Sequence, residues 1–417
     1  MEEQTYPSQI VIQPSEPAAS KPVPTRVREV DALRGLALFG ILLVNMWFFK
    51  RPEEAMRISP GALDQFALTA IVAFAAGKFY PIFSFCFGFG LAVQWLKPSD
   101  SSFTGRTVRR MLVLLLFGIA HGAFLWSGDI LTYYAILGLA LLAFQGISVR
   151  ARLVLACLAI AGHLLIMTLV YGSLAFMEEM LGYYEAFPIV PVTETEAFWV
   201  YSSGSYLEIM AFRGMEILEG SYIGFVMLPS MFGMAILGWA AAQSGLAFNR
   251  EAAKRIARRT LFVAPLVAGV FLYLFFAAGG VEAYYYQGGQ PTQAIFVHTI
   301  SSYALCFVYM SVLFLVMQTL VGKSLLKPLE LAGRMPLTNY IGQSVICTTL
   351  FYSYGLGLYG TVGVAAGVGI TIAVFAFNLV FSWLWLKRFE VGPLEWLWRR
   401  LAFGKRYSGM GSQTSSG

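Results

Sequence analysis

The chain has 417 residues, of which 58% are hydrophobic and 12% charged, with a net charge of +6. Soluble globular domains carry about 25% charged residues, so these charges are too few to cover a water-facing surface. The composition excludes a soluble enzyme and points to an all-α, polytopic transmembrane helical bundle whose partners begin with membrane lipids. The positive balance does not point to nucleic acid, because Lys and Arg are scattered over short segments between apolar runs.

Residues 1–27 are polar and carry Pro7, Pro14, Pro17, Pro22 and Pro24, the signature of a disordered tail. No apolar signal-peptide core precedes the first hydrophobic run, which is therefore expected to remain as an anchor. A span needs roughly 20 apolar residues. Ten runs meet that expectation, at about 32–49, 76–96, 108–126, 130–147, 152–171, 222–242, 260–279, 295–321, 337–355 and 362–386. The stretch "FALTAIVAFAA" before the second run reads as a separate re-entrant or interfacial helix, with a bend between Gly77 and Pro81.

Basic residues alternate along these runs. Arg26, Arg28 and Arg34 precede the first, Lys97, Arg106, Arg109 and Arg110 separate the second and third, and Arg150 and Arg152 follow the fourth. Further clusters lie at 250–259, 323–334 and 387–406. Since Lys and Arg concentrate on cytoplasmic loops, both termini are expected in the cytoplasm of a cell that places the chain in its inner membrane. The exception is the first outer loop, with Lys50, Arg51 and Arg57. The 172–221 segment carries eight glutamates against Arg213 alone and reads as a long acidic outer loop. The bundle thus occupies 28–386. Residues 387–417 follow as a helix, "FEVGPLEWLWRRLAFGKR", on the inner membrane face and a flexible tail.

Polar residues inside such a bundle are functional candidates by default. His121 lies about 7.5 Å below the outer end of the third run at 1.5 Å per residue; His163 and His298 also fall in the outer half. Asp129, at the "WSGD" turn, is an N-cap for the following helix and can approach the His121 ring, fixing its tautomer as a general base requires. The alternative for His121 is a ring bonded to a neighbouring helix carbonyl. Gly118 and Gly122 form a GxxxG pair that invites close helix packing beside it. Asp31 and Arg34 share a helical face and, with Arg334 and Asn339 of "AGRMPLTNY", form a candidate anion site at the cytoplasmic mouth. Lys78 and Arg213 read as snorkelling anchors near the outer surface, and Asn45 as a polar contact within the first span. Cys86, Cys157, Cys306 and Cys347 sit in apolar runs without ligand spacing, so neither a disulfide framework nor a metal site is expected. Walker A, HExxH and GxSxG motifs are absent from the sequence.

Five segments in order, "DALRGLALFGILLVN", "GKFYPIFSFCFGFG", "FGIAHGAFLWSGDILTYYAILGL", "GRMPLTNYIGQSVICTTLFY" and "GPLEWLWR", resemble the YeiB family of bacterial inner-membrane proteins over about residues 28–404. The C-terminal half of that family is a domain of unknown function. The family is in turn similar to transmembrane acyltransferases, including the heparan-α-glucosaminide N-acetyltransferase group, whose "DxxRG" opening is matched by Asp31, Arg34 and Gly35. The resemblance implies transfer of an acyl group from a cytoplasmic thioester donor, such as acyl-CoA, to an acceptor on the far side by an intramembrane histidine. A branch of that superfamily carries its histidine on the first span, where this chain has Asn45, so His121 is the substitute.

The leading expectation is an integral-membrane O- or N-acyltransferase without a bound cofactor. Arg34 and Arg334 hold the donor phosphates, and His121 with Asp129 activates a hydroxyl or amine of a small-molecule or cell-envelope acceptor. The donor arm must thread between helices, because Arg34 and His121 lie near opposite faces. The alternative is a transporter of a small polar or anionic solute using His121, His163 and His298, although no internal repeat is evident. The acceptor, the acyl chain and the oligomeric state are left open.

Overall fold

The computed structural model describes residues 26–50, 61–97, 103–181, 194–246, 249–285 and 291–404. The Pro-rich tail to residue 25, the basic segment 51–60 and the final tail 405–417 lie outside the described residues.

The described chain folds into sixteen helices: α1 Arg28–Lys50, α2 Ala62–Phe74, α3 Phe79–Trp95, α4 Phe103–Phe124, α5 Leu131–Leu142, α6 Val149–Leu181, α7 Glu194–Ser203, α8 Tyr206–Gln243, α9 Arg250–Ala277, α10 Gly280–Tyr285, α11 Pro291–Val316, α12 Leu320–Leu325, α13 Lys327–Gly333, α14 Pro336–Phe351, α15 Val364–Leu386 and α16 Pro393–Phe403. Among the described residues, eight segments are long and apolar enough to cross a membrane: α1, α2 with α3, α4, α6, α8, α9, α11 and α15. They account for eight of the ten expected runs.

The other two runs are shorter than expected. The run at 130–147 forms only the 12-residue α5, ended by the turn through Gln145 and Gly146, and the run at 337–355 forms the 16-residue α14. At 1.5 Å per residue these reach about 18 and 24 Å, against a hydrocarbon core of about 30 Å. Both still carry the chain between the ends of the bundle. Gln145 Oε1, after α5, accepts a hydrogen bond from Thr104 at the start of α4, and α14 begins beside α16, whose Trp398 donates to the Arg110 carbonyl on α4. The chain direction therefore alternates as the basic loops predicted.

"FALTAIVAFAA" is indeed a separate helix. The break from α3 falls at Ala75–Lys78, where Gly77 adopts φ 79°. The acidic 172–221 segment is an outer connection whose internal structure its sequence leaves open. Its described part is helical: α6 runs on to Leu181, α7 follows, and α8 begins at Tyr206. Ser205 and Glu208 form a capping box at that start, the side-chain oxygen of Ser205 accepting from the Glu208 N–H, which satisfies donors that a helix end leaves open. Glu208, at the third helical position, is the start signal of α8.

Helices cross where side chains are absent. A Cβ on Gly88 (α3) would collide with the Ala235 carbonyl of α8, and one on Gly238 (α8) with the Phe85 carbonyl of α3. A Cβ on Gly35 (α1) would strike the Leu329 carbonyl of α13, and one on Gly333 the Asp31 carbonyl. In lipid, where apolar area drives little association, such close backbone approach is what holds helices together.

α16 does more than lie on a surface. Its buried Glu395 accepts from the Leu337 N–H at 2.6 Å, the Thr338 N–H at 3.1 Å and the Thr338 hydroxyl at 2.5 Å, capping α14 from 57 residues away. Pro336 at the first turn of α14 lacks an N–H, so this carboxylate meets the first donors available.

Candidate active site

The site is built on the α4–α5 turn. The Leu125 and Trp126 N–H groups both donate to the His121 carbonyl at 2.9 Å, closing α4 one turn beyond the histidine. Asp129 then caps α5, Oδ1 accepting from the Leu131 N–H at 3.1 Å and Oδ2 from the Thr132 N–H at 2.8 Å. The same Oδ1 lies 3.0 Å from His121 Nδ1. Cap and orienting carboxylate are thus one group. Gly118 makes the approach feasible, because a Cβ there would collide with Thr132 and lie 2.8 Å from Asp129 Oδ2. Gly122 faces Ile217 of α8 at 3.3 Å from its built Cβ position, so the GxxxG face receives other helices as expected.

The second ring nitrogen, Nε2, lies 2.8 Å from the hydroxyl of Ser344 on α14. With Asp129 as a carboxylate, Nδ1 carries the proton and donates to it, which leaves Nε2 as acceptor for the Ser344 O–H. Asp129, His121 and Ser344 therefore stand in the order acid, base, hydroxyl that activates a serine in acyl-transfer enzymes. His121 and Ser344 are 2% and 1% exposed. A dry site of this kind strengthens every charge–dipole contact within it. Gln343, also buried, leaves its Nε2 without a hydrogen-bond partner among the described residues, one residue before Ser344.

Aromatic rings wall the site. Tyr340 lies 5.0 Å from the His121 ring and donates to the Gly128 carbonyl at 3.2 Å, and Trp126 meets the histidine edge-on at 6.5 Å. Phe49, at the end of α1, packs on Trp126 at 4.1 Å. The start of α8 covers this end: Tyr206 and Arg213 both donate to the Phe124 carbonyl, at 2.7 and 2.9 Å. Arg213 also lies 5.3 Å from the Tyr352 ring, within a cluster of Tyr201, Tyr352 and Tyr359. Arg213 is therefore a fully buried member of a cover, not a snorkelling anchor.

The remaining expected residues fall into separate groups. Asp31 and Arg34 do share a face, with Arg34 Nη1 at 3.0 Å from Asp31 Oδ1, while Nη2 donates to the Cys86 carbonyl at 2.9 Å and Arg26 closes on Asp31 at 2.7 Å. Arg334 donates to the Glu390 carbonyl at 3.1 Å. Burial, with Arg26 nearby, holds its guanidinium below the ordinary arginine value. Asn339 donates to the Ala332 carbonyl and to Ser382. Arg34 lies fifteen residues before Phe49 on α1, hence about 22 Å below the level of Trp126.

Lys78 is fully buried instead of anchoring at the surface. Its ammonium donates to the Val72 carbonyl at 2.9 Å and lies 2.9 Å from His298 Nε2, at the α2–α3 break. His163 Nδ1 meets the Tyr303 hydroxyl at 3.1 Å. Asn45 is half-buried on α1. Among the described residues no group of three His, Cys, Asp or Glu side chains gathers as metal ligands.

Two residues escaped the sequence reading. Ser344 is one of many serines, yet Tyr340, Gln343, Ser344, Cys347, Thr348 and Phe351 follow helical spacing and are all buried, so a polar stripe within an apolar run was the available signal. Glu395 was masked by the basic residues around it.

The comparisons with known proteins fit this constellation of segments. Residues 241–405 match the family described as "Protein of unknown function (DUF418)". The chain is 30% identical over 388 residues to "Uncharacterized protein YeiB" of Escherichia coli (strain K12), covering 89% of this chain and 95% of that one. It belongs to the YeiB family. A second relative, "Uncharacterized protein YxaH" of Bacillus subtilis (strain 168), is 34% identical over 400 residues, 91% of this chain and 94% of its own. A Bacillus acidopullulyticus relative, "Uncharacterized 39.9 kDa protein in amylase 3'region", is 27% identical over 395 residues, 92% of this chain and 95% of its own. Both the His121–Asp129 half of the site and the Ser344 half lie within the segments by which the chain resembles the YeiB family.

Proposed function

We propose that this YeiB-family protein is an integral-membrane acyltransferase of the cytoplasmic membrane. The Asp129–His121–Ser344 relay carries the reading. His121 Nε2 takes the Ser344 proton as Oγ attacks the carbonyl of a thioester donor such as acyl-CoA, and the departing thiolate takes that proton as the C–S bond breaks. The hydroxyl or amine of the acceptor next yields a proton to His121 and attacks the acyl-serine ester. Ser344 Oγ leaves as alkoxide and recovers the proton from the imidazolium. Asp129 holds the tautomer throughout.

The basic end faces the cytoplasm by the distribution of Lys and Arg, and there Arg34 and Arg334 meet the donor phosphates. The α14 helix links the two ends. Thr338, at the basic end, is six residues from Ser344, about 9 Å along α14.

The test is acyl-CoA turnover by the protein in lipid nanodiscs supplied with cell-envelope acceptors, with intact-mass analysis of the protein. Wild type should release CoA and carry an acyl adduct on Ser344. Ser344→Ala should lose the adduct and at least about 10⁴-fold in rate, and His121→Ala about 10²–10⁴-fold. CoA release undiminished in Ser344→Ala would sink the covalent route.

A second reading, transport of a small anionic solute, is favoured by Lys78, whose buried ammonium meets His298 and a carbonyl in the bundle interior. Solute uptake that survives Ser344→Ala and is lost in Lys78→Met would favour it.

A further inference from the structure

A cleft of about 750 Å³ opens on the membrane-facing side of the basic end, far from the relay. It is lined by Arg28 of α1, Lys323 of α12, Lys327 and Leu331 of α13, and a face of α15. We infer that this cleft binds one anionic phospholipid of the adjacent leaflet through its phosphodiester. The site does not depend on the acyltransferase reading.

Charge is the first observation. Three cations, Arg28, Lys323 and Lys327, face the cleft. The carboxylate set against them is Glu330, whose Oε2 accepts from Arg28 Nε at 2.8 Å and whose Oε1 accepts from Lys327 at 3.0 Å. Glu29, beside Arg28, adds a second carboxylate, so three positive charges against two negative leave a surplus of one. Among the described residues Lys323 has no ion-pair partner. Glu330 is 4% exposed, whereas the side chains of Arg28 and Lys327 are 45% and 46% exposed. The buried carboxylate thus fixes two cations from behind and leaves their outer donors for a ligand. Arg28 turns Nε and Nη2 to Glu330 Oε2, so its remaining guanidinium donor and two ammonium groups are left for a singly charged oxyanion such as a phosphodiester.

The apolar half of the cleft is the second observation. Ala376, Leu379, Val380 and Trp383 form its α15 wall, at the i, i+3, i+4, i+7 spacing of one helix face. From Trp383 to Ala376 the wall descends about 10 Å from the cationic rim, a depth that suits the upper part of an acyl chain and that a free phosphate ion would leave empty. The position of the bilayer follows from the neighbours. Leu320, Val321 and Leu325 of α12 are 85%, 77% and 71% exposed around Lys323, which places α12 in hydrocarbon at the headgroup boundary. Trp383 carries the Lys387 ammonium 3.3 Å from its ring centroid, an interfacial aromatic with a cation above it. Headgroup charge and acyl wall therefore meet at the depth where a phospholipid presents both.

The full chain, purified in detergent and equilibrated with mixed micelles of phosphatidylglycerol and phosphatidylcholine, is examined by native mass spectrometry. Wild type should retain phosphatidylglycerol with about a tenfold preference, as expected for a surplus of surface charge. The double variant Lys323→Gln, Lys327→Gln should lose the preference. Ala376→Trp fills the apolar wall from a lipid-facing position without touching the ion pairs. It should lower retention of phosphatidylglycerol severalfold while unfolding at the wild-type temperature. Inorganic phosphate and glycerol phosphate at millimolar concentration should leave the bound lipid in place. Equal retention of the two lipids by wild type, or an unchanged preference in the lysine variant, overturns the proposal. So does displacement by inorganic phosphate, which would make this an ion site. If the lysine variant does not fold, Ala376→Trp decides alone, and undiminished retention there counts against the site.

Discussion

The Glu395 latch offers a test that needs no assumption about activity. Truncation by Glu395→Ala removes the acceptor of two backbone N–H groups and one hydroxyl, all buried. Hydrogen bonds to a charged group contribute about 1.5–3 kcal/mol each, and an abandoned buried donor costs about 1–3 kcal/mol. The three bonds share one carboxylate and do not add fully, and relief of its own desolvation offsets part of the loss. A net destabilisation of about 3–5 kcal/mol follows. Glu395→Gln keeps an oxygen for the two N–H groups and an amide that can donate to the Thr338 hydroxyl, so it should lose no more than about 1 kcal/mol. Burial, only partly offset by the Thr338 and Leu337 hydrogen bonds, pushes the Glu395 carboxyl above its ordinary value. Its contribution is therefore greatest below the unfolded carboxyl value of about 4.3 and diminishes as pH rises through the higher native value. The glutamine variant lacks that dependence. The assay is SDS-induced unfolding in mixed micelles, read by tryptophan fluorescence, at several pH values between about 4 and 8. Equal destabilisation by alanine and glutamine, or less than about 1 kcal/mol for alanine, would refute the latch.

Two further predictions concern other contacts. Gly118→Ala should push Asp129 and Thr132 away from α4 and reduce acyl transfer by about 10-fold or more, as loss of base orientation does; Gly105→Ala on the same helix, with open space around its Cβ, is the control, and equal rates for both would refute the role of Gly118. At Glu330, burial pushes the carboxyl up, but hydrogen bonds from Arg28 and Lys327 outweigh it and hold the group below the usual range. Its stabilisation is thus present above the unfolded value and lost as pH falls through the native one. Glu330→Gln should remove on the order of 1 kcal/mol of stability at neutral pH and flatten the acid limb below the unfolded carboxyl value of about 4.3, as followed by the same unfolding assay.

How far the sequence could be read depended on the distance over which each feature is determined. Apolar runs and their basic separators are local, and they predicted the bundle and its alternation. The His121–Asp129 pair was legible because eight residues and one turn separate the partners. Ser344 lies 223 residues from His121, and no local pattern tells which helix faces which. The same limit hid the Glu395 cap. The errors were also physical. Lys78 and Arg213 were assigned to the surface on the rule that cations seek water, whereas here carbonyls, a histidine and aromatic faces replace the water. The structure of the acidic outer segment was open from its sequence, and its described glutamates at 194–219 lie on α7 and the start of α8.

The length of α8 ties the two ends of the molecule together. Its 38 residues extend about 57 Å, with Arg213 and Ile217 over the relay at one extreme and Gly238 locked against the Phe85 carbonyl at the other. At the α3 crossing the backbones meet with no side chain between them to yield. Pro229, midway along, has no N–H to bond the Phe225 carbonyl and so weakens the rod at one place. Pro229 thus divides α8 into a half that packs over the His121 turn and a half held against α3.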